Sequence, residues 1–241
     1  MFLLLVSCYL SLLLYIVATP IGNLEDITLR AVSVLSNADL ILAEDTRVTK
    51  TLLERYNIKK DIVSYHQHSA IQKIDRIIKL LKDGKNLALV SDAGTPGIND
   101  PGNFLIMKAL EALPDLKITP IPGPNAAVAA LSVSGFPSDQ FVYLGFPPHK
   151  KGRQTFFKNI GSIEKTVVFY ESKYRILKTL DELKKFSNIG ERKLLVAREL
   201  TKQFEKLSEE QKTQIRESIC QNPLFFMIKN IKKVIKNWLP G

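Results

Sequence analysis

The sequence predicts an α/β fold that opens on a parallel sheet with helices on both faces. Three observations carry this. From Leu14 to about residue 132, short apolar runs alternate with helix-periodic segments, giving five strand-then-helix units in order. The runs are continuously apolar instead of alternating, as strands buried on both faces require. Three of the five strands end in loops punctuated by Pro and Gly: Thr19 to Asn23, Ser91 to Gly102, and Pro122 to Asn125. Ligands of open α/β sheets sit outside the carboxyl ends of strands, where such loops lie.

The elements follow in order. Leu14 to Ala18 is the first strand. Glu25 and Asp26 then sit near a helix start, where acids suit the dipole. Ile27, Ala31, Val34 and Leu35 recur at helical spacing. Ala38 to Ala43 is the second strand and runs into Glu44-Asp45-Thr46-Arg47, before a helix over Val48 to Tyr56. Ile62 to Tyr65 is a third strand, ending in His66-Gln67-His68, and the helix Ala70 to Leu81 follows. Leu87 to Val90 is the fourth strand. Its loop, SDAGTPGINDPG, is far longer than a bare turn needs, which marks it as functional. Gly lets backbone approach a ligand and Pro stiffens the loop. After the helix Phe104 to Leu113 come the strand Lys117 to Ile121 and the alanine-rich helix Ala126 to Ser132.

The second half reads as strands over Phe141 to Phe146, Thr166 to Tyr170 and Lys193 to Ala197, with an amphipathic helix over Tyr174 to Phe186. The domain boundary is expected near residue 123, giving an N-terminal domain over 14–122 and a C-terminal one over 123–241. Between the first two of these strands lies a basic turn, Pro147-Pro148-His149-Lys150-Lys151-Gly152-Arg153. Its three cations are expected on an exposed surface.

Composition narrows the chemistry. Cys8 and Cys220 are the two cysteines, with no CxxC spacing and no disulfide framework, so a reducing, cytoplasmic compartment is expected. The three histidines are His66, His68 and His149, and no metal site is expected. None of the Pro/Gly loops has the dinucleotide or P-loop pattern, which favours a compact ligand with little phosphate. Charge is uneven: residues 1–120 hold 13 Lys+Arg and 13 Asp+Glu, whereas residues 121–241 hold 21 and 11. A neutral half beside a basic one suits an enzyme acting on a polyanion, although a solvated basic face is an equally simple origin.

The first eighteen residues are apolar and uncharged. They lack a basic leader region, and a cut near Ala18 would remove the first strand. Residues 1 to about 13 are therefore expected to be an appended start. The alternative is a membrane-directed segment, because the stretch reaches the lower length for spanning.

TPIGNLEDITLRA, AEDTR, SDAGTPGINDPG, PGPNA and FYES with ARELTK, in this order, resemble the ribosomal RNA small subunit methyltransferase I family of the tetrapyrrole methylase superfamily. The resemblance runs from about Leu14 to about Glu205. It implies two α/β domains of the tetrapyrrole methylase type with S-adenosylmethionine (SAM) in the cleft between them. It implies transfer of a methyl group to the ribose 2′-oxygen of a cytidine in small-subunit rRNA, by a cytoplasmic homodimer with no membrane association. On the same basis SAM is expected against Pro20, Gly22, Asn23, Ser91, Asp92, Ala93, Gly94, Thr95, Pro122, Gly123 and Pro124. The expected rRNA contacts are Arg47, His66, Lys150, Lys151, Arg153, Lys173, Arg175 and Arg198. The ribose hydroxyl must lose a proton to a base within about 3 Å or one water. Glu171, Asp45, Glu199 and His66 are the candidates. Each carboxylate also has a plain structural use: Glu171 with Arg175, Glu199 with Arg198, Asp45 with Arg47.

Beyond Glu205 the chain departs from the family pattern. Ser208 to Cys220 is expected to be helical, Leu224 to Ile228 a strand, and Lys229 to Trp238 basic and amphipathic, leaving the second sheet short of strands. Two other functions remain open: a methyltransferase of the same superfamily acting on a tetrapyrrole or a protein, and an inactive remnant.

Overall fold

The computed structural model describes residues 12–66, 71–100, 102–172, 174–185, 192–202, 206–209 and 224–230. The chain divides into two compact units, Met1–Asn125 and Ala126–Gly241. The expected boundary was at 122/123, and the helix Ala126–Ser132 accordingly opens the second unit.

In the first unit, β1 (Leu13–Val17), β2 (Leu40–Ala43), β3 (Ile62–Ser64), β4 (Leu87–Val90) and β5 (Lys117–Ile121) form one sheet in the order β3-β2-β4-β1-β5. Every pairing is parallel. The helices are α1 (Leu29–Asn37), α2 (Thr46–Arg55), α3 (Ile71–Lys82) and α4 (Gly102–Ala112).

Alternation along each strand divides the core into two layers. Leu87 and Leu89 of β4 join Leu14, Ile16 and Leu42 against Ile74, Ile77, Ile78 and Leu81 of α3 and Leu105 and Ala109 of α4. Ala88 and Val90 join Val17, Ile41 and Ala43 against Ala31 and Leu35 of α1 and Leu53 of α2. The continuous apolar runs thus serve two faces at once. All four β4 residues are buried. Each large aliphatic among them contributes about 1.5–3 kcal/mol by leaving water. Local caps that the sequence reading did not single out set two helix starts: the Thr28 side chain accepts from the Ala31 amide, and that of Asp45 from the Arg47 amide, so α2 begins at Thr46 instead of Val48.

The second unit contains α5 (Ala126–Ser132), β6 (Phe141–Tyr143), α6 (Arg153–Ser162), β7 (Thr166–Glu171), α7 (Ile176–Lys184), β8 (Arg192–Arg198), β9 (Lys206–Glu209) and β10 (Leu224–Asn230). Its sheet runs β6-β7-β10-β8-β9. Among these described strands only β6 and β7 pair in parallel; β10 lies between β7 and β8, antiparallel to both. Phe157 and Ile160 of α6, Val167 and Phe169 of β7, and Ile176, Leu180 and Leu183 of α7 form its core.

Two sequence expectations change here. β6 stops at Tyr143 instead of Phe146, since Gly145 takes a left-handed φ of 61° and turns the chain. Ser208 lies in β9, paired with Val196, so the helix expected from Ser208 does not begin there. Cross-strand pairing overrides a weak helical pattern. Most of that stretch, the basic segment over residues 231–238, and residues 1–11 lie outside the described residues. Among the described residues, no helix is long and apolar enough to cross a membrane.

Candidate functional site

In the first sheet the chain leaves β1 toward β2 on one side and leaves β4 toward β5 on the other. The reversal therefore falls between the adjacent strands β4 and β1, the position where open α/β sheets form a crevice. The Pro/Gly loops emerge here, from β1, β4 and β5.

The loops are laced together. Thr19 and Gly94 exchange backbone hydrogen bonds, 2.9 and 3.0 Å long. The buried Thr19 hydroxyl donates to the Ser91 carbonyl at 3.0 Å, and the Ser91 hydroxyl donates to the Gly94 carbonyl at 3.2 Å. The Thr95 hydroxyl reaches the Pro124 carbonyl at 3.2 Å, which ties the β4 loop to the β5 loop. Gly94 and Gly97 hold φ of 84° and 85°, a conformation that other residues adopt at a cost. Ser91, Asp92, Ala93, Gly94, Thr95, Pro122, Gly123 and Pro124 thus lie on the loops after β4 and β5, the two strands that flank β1.

Pro20, Gly22 and Asn23 lie on the β1 loop, where the Asn23 side chain accepts from the Glu25 amide and caps a short 3-10 helix. Asn23 therefore has a structural task of its own. Gly123 is shaped by a steric contact. It does not occupy the left-handed region, and a Cβ there would lie 2.9 Å from the Ala18 Cβ. Its missing side chain makes room for Ala18.

An acidic edge borders these loops. The Asp92 side chain accepts from the Asp45 amide at 2.9 Å, joining the ends of β2 and β4. Glu44, Tyr65, Ser91 and Asp100 line one small recess. Burial raises the Asp100 carboxyl to about 6, with further upward pressure from Glu44 and Asp92, while a hydrogen bond to Ser91 works the other way. Burial, chiefly, also raises Glu44. Sequence reasoning missed both as site residues. Asp100 falls in the focal motif, but its burial is a property of the folded loop.

Asp100 therefore takes up a proton more readily folded than unfolded. A carboxyl raised in this way stabilises the fold at low pH and loses that contribution as pH rises from about 4 through about 6. Asp100→Asn is expected to stabilise the protein at pH 7.5 by about 1–2 kcal/mol, after discounting for partial exposure. The gain should vanish below about pH 4. Urea denaturation across that range checks it, and a pH-independent difference would contradict the burial.

The catalytic candidates separate. Asp45 is held down to about 2, first by its hydrogen bonds to the Arg47 side chain and backbone. The Arg47 guanidinium lies 2.6 Å from it. Glu171, at the end of β7, is fully enclosed. It meets Arg153 at 3.2 Å, Arg175 at 2.8 Å, the Thr179 hydroxyl at 2.7 Å and the Ser172 amide at 2.7 Å. These donors occupy both its oxygens and leave no approach for a substrate hydroxyl. Its structural use is the one the fold adopts. Glu199 is half-buried just after β8 in a left-handed conformation, φ 55°. His66 is exposed, two residues past the end of β3.

Among the expected RNA contacts, Arg153 must be corrected. It is 3% exposed, pairs with Glu171 and with Glu182 at 2.7 Å, and lies over the Phe157 ring at 5.0 Å. It opens α6 and points into the unit, whereas Lys150 and Lys151 stay exposed. Arg175 is also committed, to Glu171, the Ser172 hydroxyl and the Pro147 carbonyl. Arg47 is 89% exposed and Arg198 half-buried at the end of β8. Lys173, Gln67 and His68 lie outside the described residues. Among the described residues no group of three His, Cys, Asp or Glu is placed to hold a metal.

The family model described as Tetrapyrrole (Corrin/Porphyrin) Methylases matches residues 13–215, running past Glu205. A protein of Escherichia coli O157:H7 named Ribosomal RNA small subunit methyltransferase I is 49% identical over 80% of this chain and 66% of its own length. Its namesake in Haemophilus influenzae is 44% identical over 88% of this chain and 74% of its own. That of Thermotoga maritima is 45% identical over 78% and 83%. The chain spans just under two thirds of the Escherichia coli and Mesorhizobium japonicum relatives, 66% and 65%. Among solved structures, diphthine synthase matches with a TM-score of 0.71 at 15% identity, over 91% of this chain and 90% of that one. Cobalt precorrin-4 methyltransferase matches with a TM-score of 0.66 at 15% identity, over 91% and 95%. These two likenesses are of fold.

Proposed function

The chain belongs to the tetrapyrrole methylase family, among relatives named ribosomal RNA small subunit methyltransferase I, and on that premise we propose that it methylates small-subunit rRNA using SAM. The observation that carries the substrate is identity of 44–49% to proteins of that name, against 15% to the cobalt precorrin and diphthine enzymes. The target is the ribose 2′-oxygen of a cytidine, as the motif resemblance implies.

The residues of the first unit fit the cofactor. SAM carries a sulfonium and an ammonium group, and the carboxylates of Glu44, Asp45, Asp92 and Asp100 gather at the ends of β2 and β4. Asp26, in the β1 loop, keeps one enclosed carboxyl oxygen without a hydrogen-bond donor, an acceptor suited to an ammonium or hydroxyl group. Backbone groups of Ser91 to Thr95 and Pro122 to Pro124 would hold the remainder. SAM, when bound, supplies the electrophilic methyl group. The chain's own work is chiefly orientation of two reactants for in-line displacement. Glu199 or His66 would accept the proton of the ribose hydroxyl. Asp45 is too weak a base at about 2, and Glu171 is closed in.

The enzyme would act in the cytoplasm as a homodimer. Phe104, Met107 and Leu110 lie 42–47% exposed on one side of α4, an apolar patch fit for a second copy.

Purified protein incubated with methyl-labelled SAM and small ribosomal subunits should place label in the rRNA. Label in a tetrapyrrole or a protein instead would move the chain to another branch of the family. No transfer to any of them, with SAM still bound, would mark it an inactive remnant.

A further inference from the structure

The buried ion network around Glu171 ends on the loop that carries the basic turn. Arg175 donates to the Pro147 carbonyl at 3.3 Å, and Arg153 to the Pro148 carbonyl at 3.2 Å. Both guanidiniums are fixed in turn by Glu171. The loop from β6 to α6 is therefore braced from below at two successive residues.

Aromatic side chains flank this brace. Phe146 precedes Pro147 and is 48% exposed, and Tyr174 precedes Arg175 and is 85% exposed. One hydrogen bond thus has an outward aromatic residue beside each of its ends. Phe146 is set edge-on to Tyr170 at 5.3 Å between ring centres, and Tyr170 edge-on to Tyr143 at the same distance. The ring of Phe146 is thereby oriented, not loose. Lys150 and Lys151 follow on the same loop, both exposed. Aromatic faces beside cations on a rigid support are what unstacked bases and their phosphates require.

We propose that Phe146 and Tyr174 form a stacking platform for single-stranded RNA bases, with Lys150 and Lys151 contacting the adjoining phosphates. The Arg153–Glu171–Arg175 network is the positioning device beneath it. This rests on the rRNA reading above and adds the form of the substrate: a splayed single strand at the carboxyl ends of β6 and β7.

The test uses the full chain with a single-stranded oligocytidylate, a duplex RNA of equal length, and intact small subunits with labelled SAM. Phe146→Ala and Tyr174→Ala should each weaken single-strand binding roughly ten-fold or more. They should leave duplex binding, SAM binding and the salt slope unchanged, and Tyr174→Phe should restore affinity. Lys150→Ser with Lys151→Ser should instead flatten the slope of log K against log salt by up to about 1.4. Parental affinity in both alanine variants, while the parent methylates subunits, would overturn the platform and keep the rRNA reading. If the parent neither binds RNA nor methylates subunits, the rRNA reading falls and takes the platform with it. A dimer that the alanine variants convert to monomer, with RNA affinity intact, would also overturn the platform by assigning these rings to self-association.

Discussion

Arg153→Met is expected to destabilise the protein by about 3–5 kcal/mol, the largest effect of any single change considered. The substitution keeps much of the volume and removes the charge. Glu171 is fully enclosed, and Glu182 is only 17% exposed at its side chain. Without Arg153, both carboxylates lose a charged donor inside low-dielectric surroundings, and the Thr179 hydroxyl loses its 2.5 Å partner. Breaking a buried pair from one side is costly because the remaining charge stays buried. Arg153→Met with Glu171→Gln should therefore recover part of the loss. Urea denaturation of the three proteins measures it. A fully stable Arg153→Met that binds RNA poorly would return Arg153 to the surface and to the substrate.

Gly123→Ala is expected to cost about 1–3 kcal/mol and most of the SAM affinity, by overpacking. The new Cβ would lie 2.9 Å from the Ala18 Cβ, a separation that real side chains do not keep. The two loops must part, and both belong to the proposed cofactor cradle. Ala18→Gly combined with Gly123→Ala moves one methyl group across the contact and should restore much of both properties. Calorimetric SAM titration together with thermal denaturation separates the cases. If the double variant regains stability but not SAM binding, the Gly123 backbone meets the cofactor directly. If the single variant binds SAM as the parent does, the β5 loop leaves the site.

Much of the first unit was legible in the chain alone. Continuous apolar runs such as Leu87 to Val90 identify strands covered on both faces, since only a two-sided core makes use of both parities. Ile27, Ala31, Val34 and Leu35 announce α1 because helical spacing of apolar residues is a local pattern. The Pro/Gly loops identify the carboxyl ends of β1, β4 and β5, where the cofactor site is proposed, because turn conformation is also largely local.

The order of the strands and the fate of individual charges were decided elsewhere. Nothing in the sequence separates Arg153 from Lys150 and Lys151, three cations within four positions. Tertiary packing does, by placing a carboxylate from β7 and another from α7 beneath the first turn of α6. Glu171 reads equally as a base or as a partner until its two arginines and Thr179 converge on it. Asp100 acquires its raised pKa only when its loop folds over Ser91 and Glu44. The steric reason for Gly123 emerges only when Ala18 is brought against it. Backbone preference, capping and hydrophobic period are written within a few residues and were readable. Ion pairing, desolvation and steric contact join residues far apart in the chain, and only the folded structure assigns them.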